Sequence, residues 1–135
     1  MTTNTSARIV IGGKRAGFQG IMPGILEEVL LALERKQPLY LAGGFGGATL
    51  DVIRNLRPGY AEWFPPASDA PPPDERLLKG LGQIDETIAA AKWDGFENGL
   101  SEDENCLQAA SYRPSEIAAL GGKGMGRLLD PKGMT

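Results

Sequence analysis

Two short apolar runs near the start of this chain each end on paired glycines, and each gives way to a helix-forming stretch. That repeated pattern constrains the fold more than any other feature. Ala7-Arg-Ile-Val-Ile11 is rich in β-branched residues and stops at Gly12-Gly13. A short continuous apolar run of this kind reads as a buried strand of a parallel sheet. A glycine-rich loop from Gly12 to Gly24 follows, and Pro23-Gly24 opens a helix predicted over Ile25–Lys36. Leu26, Val29, Leu30 and Leu33 recur there at helical spacing, Glu27 and Glu28 lie near its start, and Arg35 and Lys36 near its end. Both charge placements suit the helix dipole, and Pro38 prevents continuation. Leu39–Ala42 reads as a second buried strand, broken by Gly43-Gly-Phe-Gly-Gly47, and Ala48–Leu56 as a second helix. Strand, helix, strand, helix in that order makes a βαβα unit with a parallel strand pair. The expected fold class is α/β: a Rossmann-like parallel sheet, present as a partial βαβα unit over residues 1–57, with C-terminal helices.

The remainder differs in kind. Six prolines crowd residues 58–75, which read as a loop or linker. Tyr60, Trp63 and Phe64 at its start either lie back over the core or wall a ligand. Residues 76–120 read as the helical C-terminal part of the same domain. Asp74–Trp93 is one helical stretch, weakened by Gly80 and Gly82. Asn98-Gly99 marks a turn, and Ser101-Glu-Asp-Glu104 has the capping-box pattern that opens a helix to about Ala110. A last helix is expected over Glu116–Leu120, with residues 121–135 a frayed glycine-rich tail.

Chemistry is bounded by what the chain lacks. It has no histidine and a single cysteine, Cys106. Histidine bases, Ser-His and Cys-His pairs, internal disulfides and zinc sites of the usual kinds are therefore excluded, and neither a metal nor a cofactor is expected. A net charge of −3, with no basic run longer than Lys14-Arg15 or Arg35-Lys36, argues against nucleic acid as a partner. No apolar run approaches the ~20 residues of a membrane span, and the opening residues do not resemble a signal peptide. The expectation is a cytoplasmic protein.

The two glycine loops leave the carboxyl ends of adjacent parallel strands, the edge where open α/β sheets bind ligands. Gly43, Gly44, Gly46 and Gly47 surround Phe45. Backbone without Cβ atoms can approach a ligand and present its N–H groups, and the helix that starts at Ala48 favours an anion such as phosphate. A tight turn would need fewer glycines. Gly12, Gly13 and Lys14, with Arg15, either meet phosphate or are solvated, and the spacing is neither a Walker loop nor a dinucleotide fingerprint. Glu27 and Glu28, beside Gly24, either serve the helix dipole or accept hydrogen bonds from ribose hydroxyls. Phe18 or Phe45 could pack on a base.

Pro23-Gly-Ile-Leu-Glu-Glu28 and Gly43-Gly-Phe-Gly-Gly47 resemble the SLOG superfamily, which groups Lonely Guy phosphoribohydrolases with DprA-like proteins. Gly24-Ile-Leu-Glu-Glu28 is similar to the GTxxE part of the Lonely Guy motif, with Ile25 in place of Thr. The resemblance implies that Glu28 stands at the family's ribose-contacting glutamate, which is catalytic in the enzymes. The nearer likeness is to the branch found with TIR domains in bacterial defence, through Ala7–Gly13, Pro23–Glu28, Pro38–Ala48 and Asn98–Asn105. That likeness implies a nucleotide-type ligand of the ADP-ribose or cyclic-nucleotide class, and a sensor that is non-catalytic alone. The alternative is a phosphoribohydrolase cleaving the N-glycosidic bond of nucleoside monophosphates with Glu28. The resemblance also implies that the chain corresponds to the C-terminal half of such a domain. The opening strand, its phosphate loop and the arginine partner of the glutamate would then fall before residue 7. An apolar helix over Ile25–Leu33 and two unpaired strand edges call for cover. A homo-oligomer or association with the missing half would supply it, unless the C-terminal segments fold back.

Overall fold

The computed structural model describes residues 7–66 and 71–129. The order is β1 (Arg8–Ile11), α1 (Gly24–Glu34), β2 (Leu39–Ala42), α2 (Gly47–Leu56), a 3-10 turn (Pro58–Ala61), α3 (Glu75–Ala91), α4 (Glu102–Ala110) and α5 (Pro114–Leu129). The protein is α/β, as its sequence pattern requires. β1 and β2 form a parallel pair in the register Arg8–Leu39, Ile9–Tyr40, Val10–Leu41 and Ile11–Ala42. Among the described residues no helix is long and apolar enough to cross a membrane.

Because side chains alternate along a strand, Val10, Leu39 and Leu41 share one face. They enter a core with Leu26, Val29 and Leu33 of α1, Val52 and Ile53 of α2, and Leu77 and Ile84 of α3. α1 begins where Pro23 accepts the Leu26 and Glu27 N–H groups and ends at Glu34, so Arg35 and Lys36 lie just past it rather than in its last turn. α3 runs against α1 at close range: a Cβ on Gly80 would sit 2.5 Å from the Leu26 side chain. The glycine that weakens α3 in isolation thus permits its docking. α3 covers the α1 surface that the sequence left without a partner.

Ile9 and Tyr40 share the opposite face, which α5 covers. A Cβ on Gly121 would meet Ile9, and one on Gly124 would lie 2.7 Å from the Tyr40 ring. This corrects the frayed tail. The helix expected to stop at Leu120 continues through Gly121, Gly122, Gly124 and Gly126 to Leu129. Helical propensity argues against that run, but close packing on two strand residues outweighs it. Residues 130–135 lie outside the described part.

The aromatic trio divides. Tyr60 is buried and Phe64 packs on the core, whereas Trp63 is 82% exposed. Tyr60 donates to Glu102 Oε1 at 2.8 Å and meets Phe96 edge-on. Burial, and then the Glu102 carboxylate, push its hydroxyl up to about 12. The expected capping box is present at α4: Ser101 Oγ accepts from Glu104 N–H, and the Glu104 carboxylate accepts from Ser101 N–H.

Candidate functional site

The two glycine loops meet at the carboxyl end of the sheet. Ala48 N–H donates to the Gly13 carbonyl at 3.1 Å, and Thr49 donates to the Gly12 carbonyl through both its N–H (2.8 Å) and its hydroxyl (2.9 Å). Two N–H groups at the start of α2 are therefore spent on the first loop. Most of the glycines answer to chain packing as well. A Cβ on Gly47 would lie 2.4 Å from the Gly13 carbonyl oxygen, and one on Gly13 would strike Ile25 at the same distance. Gly43 and Gly44 press on the end of α4, where their N–H groups donate to the carbonyls of Ala109 (2.8 Å) and Ser111 (3.1 Å). A Cβ on Gly44 would fall 2.1 Å from the Ser111 oxygen.

Space remains on the outer side of this junction. A cleft of about 340 Å³ is lined by Arg15, Gly46, Gly47, Leu50, Asp51, Arg54, Pro65, Pro66 and Pro71. That volume is at the small end of ligand pockets. Arg15 reaches it from the first loop and grips Asp51 with two hydrogen bonds, Nε to Oδ2 at 2.7 Å and Nη2 to Oδ1 at 3.2 Å. Its Nη1 donates to the Pro71 carbonyl at 2.9 Å. Arg54, one turn beyond Leu50 on α2, donates to the Pro65 carbonyl at 2.5 Å. No carboxylate among the described residues pairs with it. Two guanidinium groups and one carboxylate leave the cleft with an excess positive charge beside a helix N-terminus, an arrangement that attracts anions.

The sequence candidates distribute unevenly around this cleft. Gly46 and Gly47 line it; Gly12, Gly13 and Lys14 flank it, the last exposed. Gly24, Glu27 and Glu28 stand at the start of α1 outside its lining. Glu28 turns instead toward the start of β1, 3.6 Å from Arg8 Nη1. Phe18 is not open to a base, because its ring is buried beneath the Arg76 guanidinium at 4.2 Å. Phe45 is 52% exposed and lies outside the lining of the cleft, on the loop that leads into Gly46. Asp51 and Arg54 escaped the sequence reading. The i, i+3 spacing of Asp51 and Arg54 on the helix after the glycines is a local signal for a shared face. The prolines opposite them give no comparable signal. Among the described residues no group of three or more Cys, Asp or Glu converges as metal ligands would.

Fold and cleft together define a partial Rossmann-like α/β module with its polar cleft at the carboxyl edge of a parallel pair. The chain belongs to the SLOG superfamily: the family model described as SLOG cluster2 matches residues 1–107. No curated protein and no solved structure matches the chain.

Proposed function

We propose that this SLOG module binds a nucleotide derivative of the ADP-ribose or cyclic-nucleotide type and is non-catalytic alone. The observation that carries the reading is the convergence of Arg15, Arg54 and the Gly46-Gly47 backbone on one cleft at the ligand-binding edge of the sheet. Phosphate sits against Arg54 and the start of α2. A carboxylate offers about four acceptor sites, and Arg15 takes two of those on Asp51. The others can accept from ribose hydroxyls. Phe45, exposed on the loop that leads into Gly46, offers a stacking surface for a base.

Calorimetry with ADP-ribose, NAD and nucleoside monophosphates tests this reading. At least one should bind, and Arg54→Ala should weaken it by about tenfold or more, the loss of one charged hydrogen bond. The same titration on Asp51→Asn and Glu28→Ala decides which carboxylate meets the ribose; Asp51→Asn is expected to have the larger effect. A folded protein that binds none of these ligands at millimolar concentration defeats the proposal.

A further inference from the structure

We infer that the outer edge of β1 is a dimerisation edge, and that its occupant is β1 of a second copy of this chain, running antiparallel about a two-fold axis. Among the described residues nothing pairs with that edge, since the sheet has two strands and β2 is the inner partner. Arg8 N–H donates inward, to the Pro38 carbonyl at 3.1 Å. Backbone direction alternates along a strand, so the N–H and C=O groups of Ile9 and Ile11 point outward. Within its four residues the edge carries no proline, no lysine and no bulge to oppose pairing, and its one charge, Arg8, stands at the end.

Three exposed aliphatic side chains gather around this edge. Ile9 is 47% and Ile11 40% exposed on the α5 face. Leu31, 40% exposed, follows Glu28 by three residues and shares its side of α1, the side that reaches Arg8. α5 touches Ile9 at Gly121 and still leaves it about half exposed, like Ile11 and Leu31.

The edge is also self-complementary. With Val10 on the axis, Ile9 lies opposite the partner's Ile11 and Ile11 opposite the partner's Ile9. Both are then hydrogen-bonded pairs of an antiparallel ladder, made by the groups that point outward. The four isoleucines meet on one face. On the other face each Arg8 comes opposite the partner's Gly12, beside the first turn of the partner's α1, where Ile25 lies against Gly13. Arg8 is held within its own chain by Gln37 and Glu28, and Glu27, exposed in the first turn of α1, is the carboxylate left to face the partner's Arg8 at each end. Closed two-fold pairing of this kind is the commonest form of soluble oligomer.

Light scattering on a sizing column and hydrogen exchange test the inference on the whole chain. The unmodified protein should show a dimer mass at micromolar concentration, and the Ile9 and Ile11 amides should lose protection on dilution. Ile9→Lys with Ile11→Lys places like charges across the pair and should give a monomer whose melting remains cooperative. Ile11→Pro deletes one outward N–H and leaves the inward ladder, and should do the same. A monomeric unmodified protein overturns the inference. So does a dimer that survives the double lysine variant, which would place the contact elsewhere. Protection of Ile9 and Ile11 that does not change with concentration would give the edge to another segment of the same chain, and equally overturns it.

Discussion

The outer edge of β2 and the outer edge of β1 pose the same problem, a row of backbone groups at the margin of a parallel pair, and the chain meets it on one side. Along β2, Leu39 N–H donates to the Gly95 carbonyl at 2.8 Å, and the Asn98 side chain donates to the Leu39 carbonyl at 2.7 Å. Gly43 and Gly44 donate to the end of α4. A third strand is replaced there by a loop, an amide side chain and a helix terminus. Asn98 is itself buried and tied to Asn105 in both directions, and its carbonyl receives the Tyr40 hydroxyl. β1 has no counterpart to any of this among the described residues. Irregular cover costs specific residues at specific places, whereas an open edge asks for little beyond β-branched side chains. The two edges should therefore respond very differently to substitution.

The largest difference is expected at Gly44. Its missing Cβ is what lets β2's loop reach the Ser111 carbonyl, and a methyl group 2.1 Å from that oxygen forces backbone apart. Gly44→Ala should destabilise by about 3 kcal/mol, at the upper end for overpacking, as read from the midpoint of urea unfolding. A loss below about 1 kcal/mol, smaller than overpacking usually costs, would show that the capped edge is pliant. Asn98→Ala comes next. It leaves the Leu39 carbonyl and Asn105 Oδ1 without their buried donor, and should cost about 2 kcal/mol.

How much of this was legible beforehand follows from how local each feature is. The strands, α1, α2 and the capping box at Ser101–Glu104 are written in neighbouring residues: β-branched runs, helical spacing, a serine three places before a glutamate. α5 beyond Leu120 is not. Its glycines signal a weak helix, and their value appears where Gly121 and Gly124 meet Ile9 and Tyr40, far away in sequence. The cleft divides the same way. Gly46, Gly47 and Arg15 were visible as glycine-loop residues, but the wall of Pro65, Pro66 and Pro71 depends on a proline-rich segment folding onto α2. Phe18 went to Arg76, and two of the N–H groups at the start of α2 went to Gly12 and Gly13, because loops satisfy their own backbone before any ligand arrives. Asn98-Gly99 was readable as a turn. That its side chain substitutes for a strand was not, since nothing local distinguishes a turn asparagine from one that caps a sheet.

Acid should loosen the capped side in particular. Glu104 accepts hydrogen bonds from Arg127, Lys123 and the Ser101 N–H, and these hold its carboxyl well below the usual carboxylate range. In the unfolded chain a glutamate titrates near ~4.3. A carboxylate whose folded value is depressed contributes stability that is complete above the unfolded value and is lost as pH falls below it. Unfolding midpoints should therefore drop on acidification below about pH 4.3. Glu104→Gln should flatten that dependence. In hydrogen exchange the Gly43 and Gly44 amides, which rest on α4, should lose protection before Val10 does. Equal loss at both would mean that Glu104 does not stabilise one edge more than the other.

The smallest effect belongs to the open edge. Ile11→Thr keeps a β-branched side chain, and with it the strand preference of the position. It removes apolar surface that is already 40% exposed and disturbs no inward hydrogen bond, because residue 11 points its backbone outward. Measured at high dilution, where self-pairing does not contribute, the change in unfolding free energy should stay within about 0.5 kcal/mol. The matched control is Leu41→Ala on β2, where the side chain is 3% exposed within the core and truncation should cost about 3 kcal/mol. If Ile11→Thr costs as much as Leu41→Ala under those conditions, β1's outer edge is packed against some other part of the same chain. The contrast between the two edges would then be one of chemistry rather than of cover.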